Sequence, residues 1–232
     1  MPRGNGGARL DPDKIVTAAL AVADRHGLSG MTLRMVGAEL GADPTAIYRH
    51  FSSKEALVAA IGDRLFGEVV AAELPTDWRP RLVALLRAAR DVYRAHPALV
   101  DVLANQPEDS DNLLAINEVG VRCLADAGLD SKQIGLFHHV GTALVIGSGI
   151  VEAAWDASTD GDREATRRAY SALDPAKYPA ATSAAAALFP EGDEGFDLAL
   201  ELLLEAITKA AAQRHRRSDT TTRRPTSRKK KA

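Results

Sequence analysis

The segment from Thr45 to Lys54 carries side chains whose types suit hydrogen bonding to a nucleic acid. Thr45 and Ala46 match base edges and thymine methyl groups, which the major groove of DNA exposes. Three further residues are suited to donate hydrogen bonds to phosphate oxygens: Tyr48, His50 and Lys54. Arg49 keeps two possible roles, because a guanidinium binds either guanine or phosphate. The chemistry offered by this segment is recognition of DNA.

A pair of short helices must position these residues. Thr32 is a predicted N-cap for a helix that ends at Gly41, and Asp43, followed by proline, is the start signal of a second helix. Ile47 and the phenylalanine four residues later form the inward face of that second helix, so its polar residues face outward. Two helices joined by three residues form a helix-turn-helix. The same pattern also fits a plain helical hairpin with a solvated polar face.

The remaining segments also have helical patterns. Asp11 and Pro12 begin a first helix that ends at Gly27, and the capping box Ser52-x-x-Glu55 begins a fourth that runs to about residue 73. Further helices are predicted at 78–95, 97–104, 110–127, 131–156, 163–172 and 195–213, and the stretch 157–194 is otherwise irregular. We find no alternating strand pattern and no internal repeat. The sequence therefore predicts an all-α fold.

Composition limits the class of protein. The chain has 232 residues, of which 46% are hydrophobic and 26% are charged, enough to form a buried core. Its most apolar stretch, residues 134–151, is interrupted by histidine, serine and glycine, so we expect no transmembrane span and no membrane partner. The N-terminus lacks the apolar region of a secretion signal, and the single Cys123 suits a reducing compartment. We expect a cytoplasmic protein that associates with the nucleoid.

An enzyme would need a catalytic constellation, and the chain has no Gly-x-Ser-x-Gly, phosphate-loop or Cys-x-x-Cys motif. Within one subunit, Glu152 cannot share one metal ion with His138 or His139, because it lies about 20 Å farther along the same helix. We therefore expect no catalytic residue, no metal and no cofactor. A helix-turn-helix used for protein contacts stays open as a third class, since residues 1–65 carry a net charge of only +1.

The segment 40–57, LGADPTAIYRHFSSKEAL, resembles the signature of the tetracycline-repressor (TetR) family. Residues 27–34 resemble the entry into that family's second helix, and the resemblance extends over about residues 11–65. It implies a dimeric transcriptional regulator, usually a repressor, that binds palindromic operator DNA and is released by a small ligand. An activator on the same fold is the alternative.

The resemblance assigns contacts with DNA residue by residue. Eight positions inherit such roles from the family pattern: Thr32, Arg34, Pro44, Thr45, Tyr48, Arg49, His50 and Lys54. It also implies dimerisation through the helix at 131–156 and the closing helix that includes Phe196. The helix at 131–156 is apolar nearly all round, which fits burial against both a core and a partner. Burial at the centre of a monomer is the alternative.

The resemblance further implies an effector pocket enclosed by the helices between residues 78 and 156. Polar residues within their apolar faces are candidates to bind a small apolar or aromatic molecule: Tyr93, Asn105, Asn117, His138, His139 and Thr142. Each of these residues taken alone also fits a satisfied or exposed side chain. Val100 and Ala143 stand where tetracycline-binding members carry pocket histidines, which disfavours tetracycline and its metal ion. A shifted register, which would bring His96 or His139 to these places, is the alternative.

These expectations divide the chain into four parts. They are a flexible arm at 1–10, a three-helix helix-turn-helix DNA-binding domain at 11–65, a helical ligand-binding and dimerisation domain at 66–213, and a disordered basic tail at 214–232. The tail carries nine lysines and arginines and one aspartate, a net charge of +8, whereas residues 66–213 carry −11. Such a tail either keeps the protein soluble or attracts DNA phosphates.

Overall fold

The computed structural model describes residues 10–99, 102, 110–189 and 192–222. All regular elements within these residues are helical, which confirms the predicted all-α fold. The helices are α1 (Pro12–Gly30), α2 (Leu33–Leu40), α3 (Pro44–Tyr48), α4 (Lys54–Val70), α5 (Trp78–Ala95), α6 (Asp111–Asp126), α7 (Ser131–Asp156), α8 (Asp160–Ser171), α9 (Pro179–Ala184) and α10 (Glu194–Thr222), with short 3-10 turns at Pro97–Leu99 and Ala185–Ala187.

Side-chain caps begin α1 to α4. The Asp11 carboxylate accepts the Lys14 amide at 2.9 Å, and the Thr32 hydroxyl accepts the Met35 amide at 3.2 Å, as the sequence predicts. The predicted cap of α4 is wrong by one residue, because the hydroxyl that accepts the Ala56 amide belongs to Ser53 and not to Ser52. Two adjacent serines satisfy the same local pattern, so the choice between them depends on where the preceding turn ends.

The predicted end of the first helix at Gly27 is a break inside α1. Gly27 has φ +69°, a backbone conformation that residues other than glycine rarely adopt. After this break, the helix continues to Gly30. The amide of Met31 closes this last turn by donating to the carbonyl of Gly27 at 3.0 Å. Met31 is fully buried, so the break turns the chain into the core of the N-terminal helices.

The chain forms two compact units. The first comprises Met1–Glu73, Leu85–Glu118 and Val145–Thr166, and the second comprises Leu74–Ala84, Val119–Leu144 and Arg167–Ala232. Buried side chains at the centre of the first unit include Ile15, Ile47, Leu57, Ile61 and Leu65. Those of the second include Leu82, Cys123, Leu124, Phe196, Leu200 and Ile207.

The region predicted to be irregular, 157–194, contains more helix than the sequence indicates. Helix α8 begins at Asp160, because Thr159 and Asp162 exchange hydrogen bonds between side chain and backbone and so cap its first turn. The alanine-rich stretch that follows Pro179 forms α9 and the 3-10 turn beside it, consistent with the high helix propensity of alanine.

The C-terminal helix also extends beyond its predicted end. Helix α10 continues to Thr222, so the prediction of disorder is wrong for residues 214–222. Neither glycine nor proline occurs between Phe196 and Pro225, and nothing local therefore stops the helix near residue 213. The guanidinium of Arg214 donates to the carbonyl of Gly128 at 2.7 Å. The arm at 1–9 and the tail at 223–232 lie outside the described residues.

Helix α7 exposes an apolar face. Leu136 and Val140 are 60% and 49% exposed, and Ile150 and Val151 are also exposed. By length and composition α7 resembles a membrane span, and it is the one helix among the described residues that does so. Only 17% of its most apolar window is buried within the chain.

Candidate DNA-binding and effector sites

The connection between α2 and α3 depends on two glycines. Gly41 has φ +61° at the end of α2, where it ends the helix in the left-handed conformation. Gly37 lies inside α2, and a Cβ atom there would lie 2.9 Å from the carbonyl oxygen of Ala42 and 3.5 Å from the ring of Pro44. The close approach of the two helices therefore requires Gly37 as well as the predicted Gly41.

Helix α3 spans only Pro44–Tyr48, and its one fully buried side chain is Ile47. Arg49 and His50 lie just beyond it, because the amides of His50 and Phe51 both turn back to the carbonyl of Ile47, at 2.9 and 3.0 Å. The helix is shorter than predicted, yet Tyr48, Arg49 and His50 are all exposed beside Thr45. Pro44 and Ala46 are half-buried. We call the exposed set Thr45, Tyr48, Arg49 and His50 the recognition face.

Asp43 fixes the start of this helix. Its carboxylate accepts hydrogen bonds from the Thr45 amide at 2.8 Å and the Thr45 hydroxyl at 2.6 Å. The hydroxyl bond and then the amide bond lower the pKa of Asp43 below its ordinary value of 3.8. Because the Thr45 hydroxyl donates its hydrogen bond to Asp43, the groups that Thr45 has left to offer DNA are oxygen lone pairs and a methyl group, which suit donor groups and thymine methyls.

The other predicted contacts with DNA flank the recognition face along the chain. Thr32 and Arg34 are exposed at the start of α2. Lys54 is half-buried at the start of α4 and lies within 3.5 Å of the Ser29 carbonyl. Next to it, the Glu55 amide and then the Ser53 hydroxyl lower the pKa of the Glu55 carboxyl. All of these residues belong to the first compact unit.

Two of the residues predicted to bind the effector lie in the first unit, Tyr93 on α5 and Asn117 on α6. Tyr93 is buried, its ring centroid lies 6.5 Å from that of Phe66, and burial raises the pKa of its phenol to about 12. Asn117 is half-buried. Asn105 and Val100 lie outside the described residues.

The other described residues that are predicted to bind the effector lie in the second unit, on α7. His138 is half-buried, and burial, followed by the nearby charge of His139, lowers its pKa. His139, Thr142 and Ala143 are exposed on the chain. Among the described residues, no group of three His, Cys, Asp or Glu side chains is close enough to hold a metal ion.

A buried ionic group beside Tyr93 was missed by sequence reasoning. Arg90 on α5 is only 1% exposed and pairs with Glu152 on α7, and Arg94 pairs with Asp156 at 2.7 Å. The hydrogen bond to Asp156 is the main cause of a raised pKa at Arg94. A signal was available, because each helix carries two like charges four residues apart and the two signs are complementary.

The described residues are all helical and include a helix-turn-helix with an exposed polar recognition face. This arrangement is typical of helix-turn-helix DNA-binding proteins. The family model described as bacterial regulatory proteins, tetR family, matches residues 15–61. The model described as the tetracyclin repressor-like C-terminal domain matches residues 71–211. The chain belongs to the TetR family, whose members are transcriptional regulators that bind DNA and ligands.

Curated relatives come from actinomycetes among other bacteria. An HTH-type transcriptional regulator of Saccharopolyspora erythraea is 31% identical over 147 residues, which cover 63% of this chain and 62% of the relative. The match therefore spans less than two thirds of that relative's length. The HTH-type transcriptional repressor DrrR1 of Streptomyces coeruleorubidus is 27% identical over 225 residues, covering 88% of this chain and 80% of DrrR1.

The fold is also that of a solved structure, the TetR family protein ActR of Streptomyces coelicolor in complex with actinorhodin. The TM-score is 0.76 at 21% identity, and the match covers 88% of this chain and 99% of ActR. At this level of identity the likeness concerns the fold.

Proposed function

We propose that the chain is a homodimeric repressor that binds a palindromic operator and is released when a small apolar or aromatic molecule binds its C-terminal helical domain. The observation that carries the proposal is the recognition face, whose four side chains are exposed together around the buried anchor Ile47. In this proposal the DNA-binding domain occupies about residues 11–65 and the ligand-binding and dimerisation domain about residues 66–213.

Within the recognition face, different side chains would contact base edges and phosphates. Thr45 lies at the N-terminal end of α3, the part of a recognition helix that contacts base edges. Tyr48 is 56% exposed and, with His50, would donate to phosphate oxygens, while Arg49 has either role. Thr32 and Arg34 would extend the phosphate contacts from α2. Pro44 and Lys54 would complete the contact surface at the two ends of the recognition segment.

A second copy of the chain is the proposed cover for the exposed apolar residues of α7 and α10. Leu136 and Val140 are exposed on α7, and Leu198 and Leu202 are 63% and 59% exposed on α10. Apolar side chains recurring at this spacing form a stripe on one side of each helix. Burial of such stripes between two copies would remove a large apolar area from water.

The proposed effector is apolar or aromatic, because Tyr93 is buried with its ring 6.5 Å from that of Phe66 and offers a single hydroxyl for hydrogen bonding. Asn105, Asn117, His138, His139 and Thr142 are the further proposed polar contacts. ActR, whose fold this chain shares, was solved in complex with actinorhodin. The effector of this chain would alter operator affinity through its different affinities for the DNA-bound and released conformations.

Selection from a randomised duplex pool at about 150 mM salt, a range in which phosphate contacts remain salt-sensitive, tests the DNA-binding role. We expect recovery of an inverted repeat whose half-sites are about 34–36 Å apart, and loss of its binding in Tyr48→Ala. Tyr178→Ala is the matched control, because Tyr178 is an exposed tyrosine on the second unit. If folded, dimeric protein recovered no sequence, a protein-binding helix-turn-helix would replace the proposal.

Sedimentation of two leucine variants tests the dimer. Leu202→Glu places a charge within the proposed contact and should shift the chain towards monomer. Leu188→Glu changes another exposed leucine outside that contact and should leave the association unchanged. Equal association of both variants and the original chain would remove α10 from the interface.

Reporter expression from the selected operator tests the sign of regulation. Repression by the chain, relieved by an aromatic compound such as actinorhodin, supports the proposed role. Expression that rises with the chain and its operator would assign an activator instead.

A further inference from the structure

A lysine at the start of α4 lies against the end of α1. The ammonium nitrogen of Lys54 is 3.5 Å from the backbone carbonyl oxygen of Ser29, 25 positions earlier in the chain, and the lysine is half-buried. Ser29 belongs to the last turn of α1. The last carbonyl oxygens of a helix have no partner within it and attract cations. The contact therefore restricts an otherwise flexible side chain within the first unit.

The position of that carbonyl depends on the break at Gly27. Gly27 has φ +69° and ψ 160°, a backbone region that is essentially restricted to glycine. Its carbonyl accepts the amide of Met31 at 3.0 Å, and Met31 is fully buried, so the turn that contains Ser29 is fixed on both sides. A Cβ atom at Gly27 would have its nearest neighbour 4.0 Å away. The requirement for glycine thus concerns backbone conformation and not space.

We infer that Gly27 is a positioning residue for DNA binding: the break at Gly27 directs the Ser29 carbonyl towards Lys54 and so orders the ammonium for contact with an operator phosphate. This inference rests on the proposed DNA-binding function, which includes Lys54 and gives Gly27 no role. An ammonium has three donors, and one contact with Ser29 leaves two for phosphate oxygens. A lysine that is already ordered loses less side-chain entropy on binding, so its contact contributes more to affinity.

Gly30 provides a matched control in the same turn. Its φ is not positive, and a Cβ atom there would lie 3.6 Å from the Cβ atom of His26, an ordinary contact distance. Alanine at Gly30 therefore adds the same methyl group without straining the backbone. Alanine at Gly27 must instead shift the turn that carries the Ser29 carbonyl.

The test compares the salt dependence of DNA binding in five full-length chains. They are the original chain, Lys54→Gln, Gly27→Ala, the combination of these two, and Gly30→Ala. Fluorescence anisotropy measures affinity for the selected operator and for a random-sequence duplex of equal length, from about 50 to 300 mM NaCl, where counterion release dominates the salt dependence. Circular dichroism establishes that each variant is folded.

We expect Lys54→Gln to reduce the slope of log affinity against log salt by about 0.9 for each bound copy, the value of one phosphate contact. Gly27→Ala should cause most of the same reduction, and the combined variant should lose no more than Lys54→Gln, because both changes remove one contact. The selected operator sequence should stay the same, since phosphate contacts carry no sequence information. Gly30→Ala should behave as the original chain.

The ammonium group can also be measured in the original chain without DNA. NMR of the lysine ammonium groups should show slower proton exchange with water at Lys54 than at Lys132, an exposed lysine of the second unit. Gly27→Ala should remove most of this difference. The comparison of the two lysines decides the inference even if Gly27→Ala does not fold, because equal exchange would mean that Ser29 does not order Lys54.

Three results of the salt titration would overturn the inference while leaving the proposed repressor function intact. The first is an unchanged slope in either Lys54→Gln or Gly27→Ala. The second is additive loss in the combined variant, because the two residues would then act separately. The third is equal loss in Gly27→Ala and Gly30→Ala, because the backbone conformation of Gly27 would then not be the cause. Failure of the original chain to bind any duplex would instead reject the proposed function.

Discussion

The carboxylate of Asp63, in α4, accepts a hydrogen bond from the backbone amide of Asn112, in the first turn of α6, at 3.0 Å. The Asn112 side chain donates back to that carboxylate at 2.8 Å and to the Asp63 carbonyl at 3.1 Å, and the Ser110 hydroxyl donates to the same carboxylate. Asp63 thereby caps a helix that begins 48 residues later in the chain. The contact connects α4, which follows the recognition face, to α6 within the first unit.

Replacement of Asp63 should therefore lower stability more than its half-exposed position indicates. Asp63→Ala removes the carboxylate acceptor of the part-buried Ser110 hydroxyl and Asn112 amides, a loss of about 1–3 kcal/mol in the free energy of unfolding. Urea unfolding followed by circular dichroism measures the change. Glu68→Ala, an exposed position on the same helix, is the control and should change stability by no more than about 0.5 kcal/mol. Equal effects of the two substitutions would contradict the capping role.

The pKa of Asp43 should depend on the hydroxyl of Thr45. Since hydrogen bonds lower that pKa in the folded protein, the capped state is favoured above pH 3.8 and loses this advantage as the pH falls through the depressed value. Thr45→Val removes the hydroxyl bond and should raise the pKa of Asp43 towards 3.8, as measured by carboxyl-carbon NMR titration. Asp162, whose pKa is lowered by Thr159 in the same way, is the internal control. A pKa of Asp43 that stayed fixed would assign its depression to the backbone amide.

Alanine should destabilise the chain at one helical glycine and be tolerated at another. At Gly149 a new Cβ atom would clash with the Cβ atom of Tyr93, so Gly149→Ala should destabilise the chain by about 1–3 kcal/mol through displacement of α5 from α7. At Gly161 the nearest atom is 3.6 Å away, and Gly161→Ala should be neutral or stabilising by up to about 1 kcal/mol. Thermal unfolding of both variants checks the pair, and a tolerated Gly149→Ala would show that the two helices can separate without cost.

The buried pair Arg90–Glu152 should behave differently from an exposed pair. Arg90→Met alone leaves Glu152 with the longer pair to Arg94, at 3.6 Å, and should cost more than the roughly 1 kcal/mol of an exposed pair, whereas Arg90→Met with Glu152→Leu should recover part of that loss. Arg79–Glu201, with both side chains well exposed, is the matched pair, and Arg79→Met should cost at most about 1 kcal/mol. A double-mutant cycle on each pair measures the coupling. Similar coupling energies in the two cycles would mean that burial of Arg90 does not strengthen its pair.

The sequence predicts those features whose cause is local. Thr32, Asp43 and Gly41 each bond or turn within three residues, and the structure places them as predicted. The recognition face is local in the same sense, because the four-residue spacing of Ile47 and Phe51 predicts which side chains of this short segment point outward.

Features that depend on distant partners were not predicted. Asp63 reads as an ordinary surface carboxylate, since its donors lie 47 and 49 residues away. From the sequence alone, Arg90 is expected to be exposed on an amphipathic helix, because charged side chains are rarely buried unless they are paired. In the structure it is 1% exposed. Gly37 also lacks a local signal. Glycine is required there because the turn brings the carbonyl oxygen of Ala42 close to the position that a Cβ atom would occupy.

Helix α3 contains five residues, far below the roughly 12–15 that an isolated helix needs to persist in water. Its geometry is therefore maintained by Asp43 at one end and by insertion of Ile47 into the core. A synthetic peptide that copies Pro44–His50 would present no ordered recognition surface. Transfer of the proposed binding specificity to another scaffold would require the core residues that surround Ile47 as well as the side chains proposed to contact the operator.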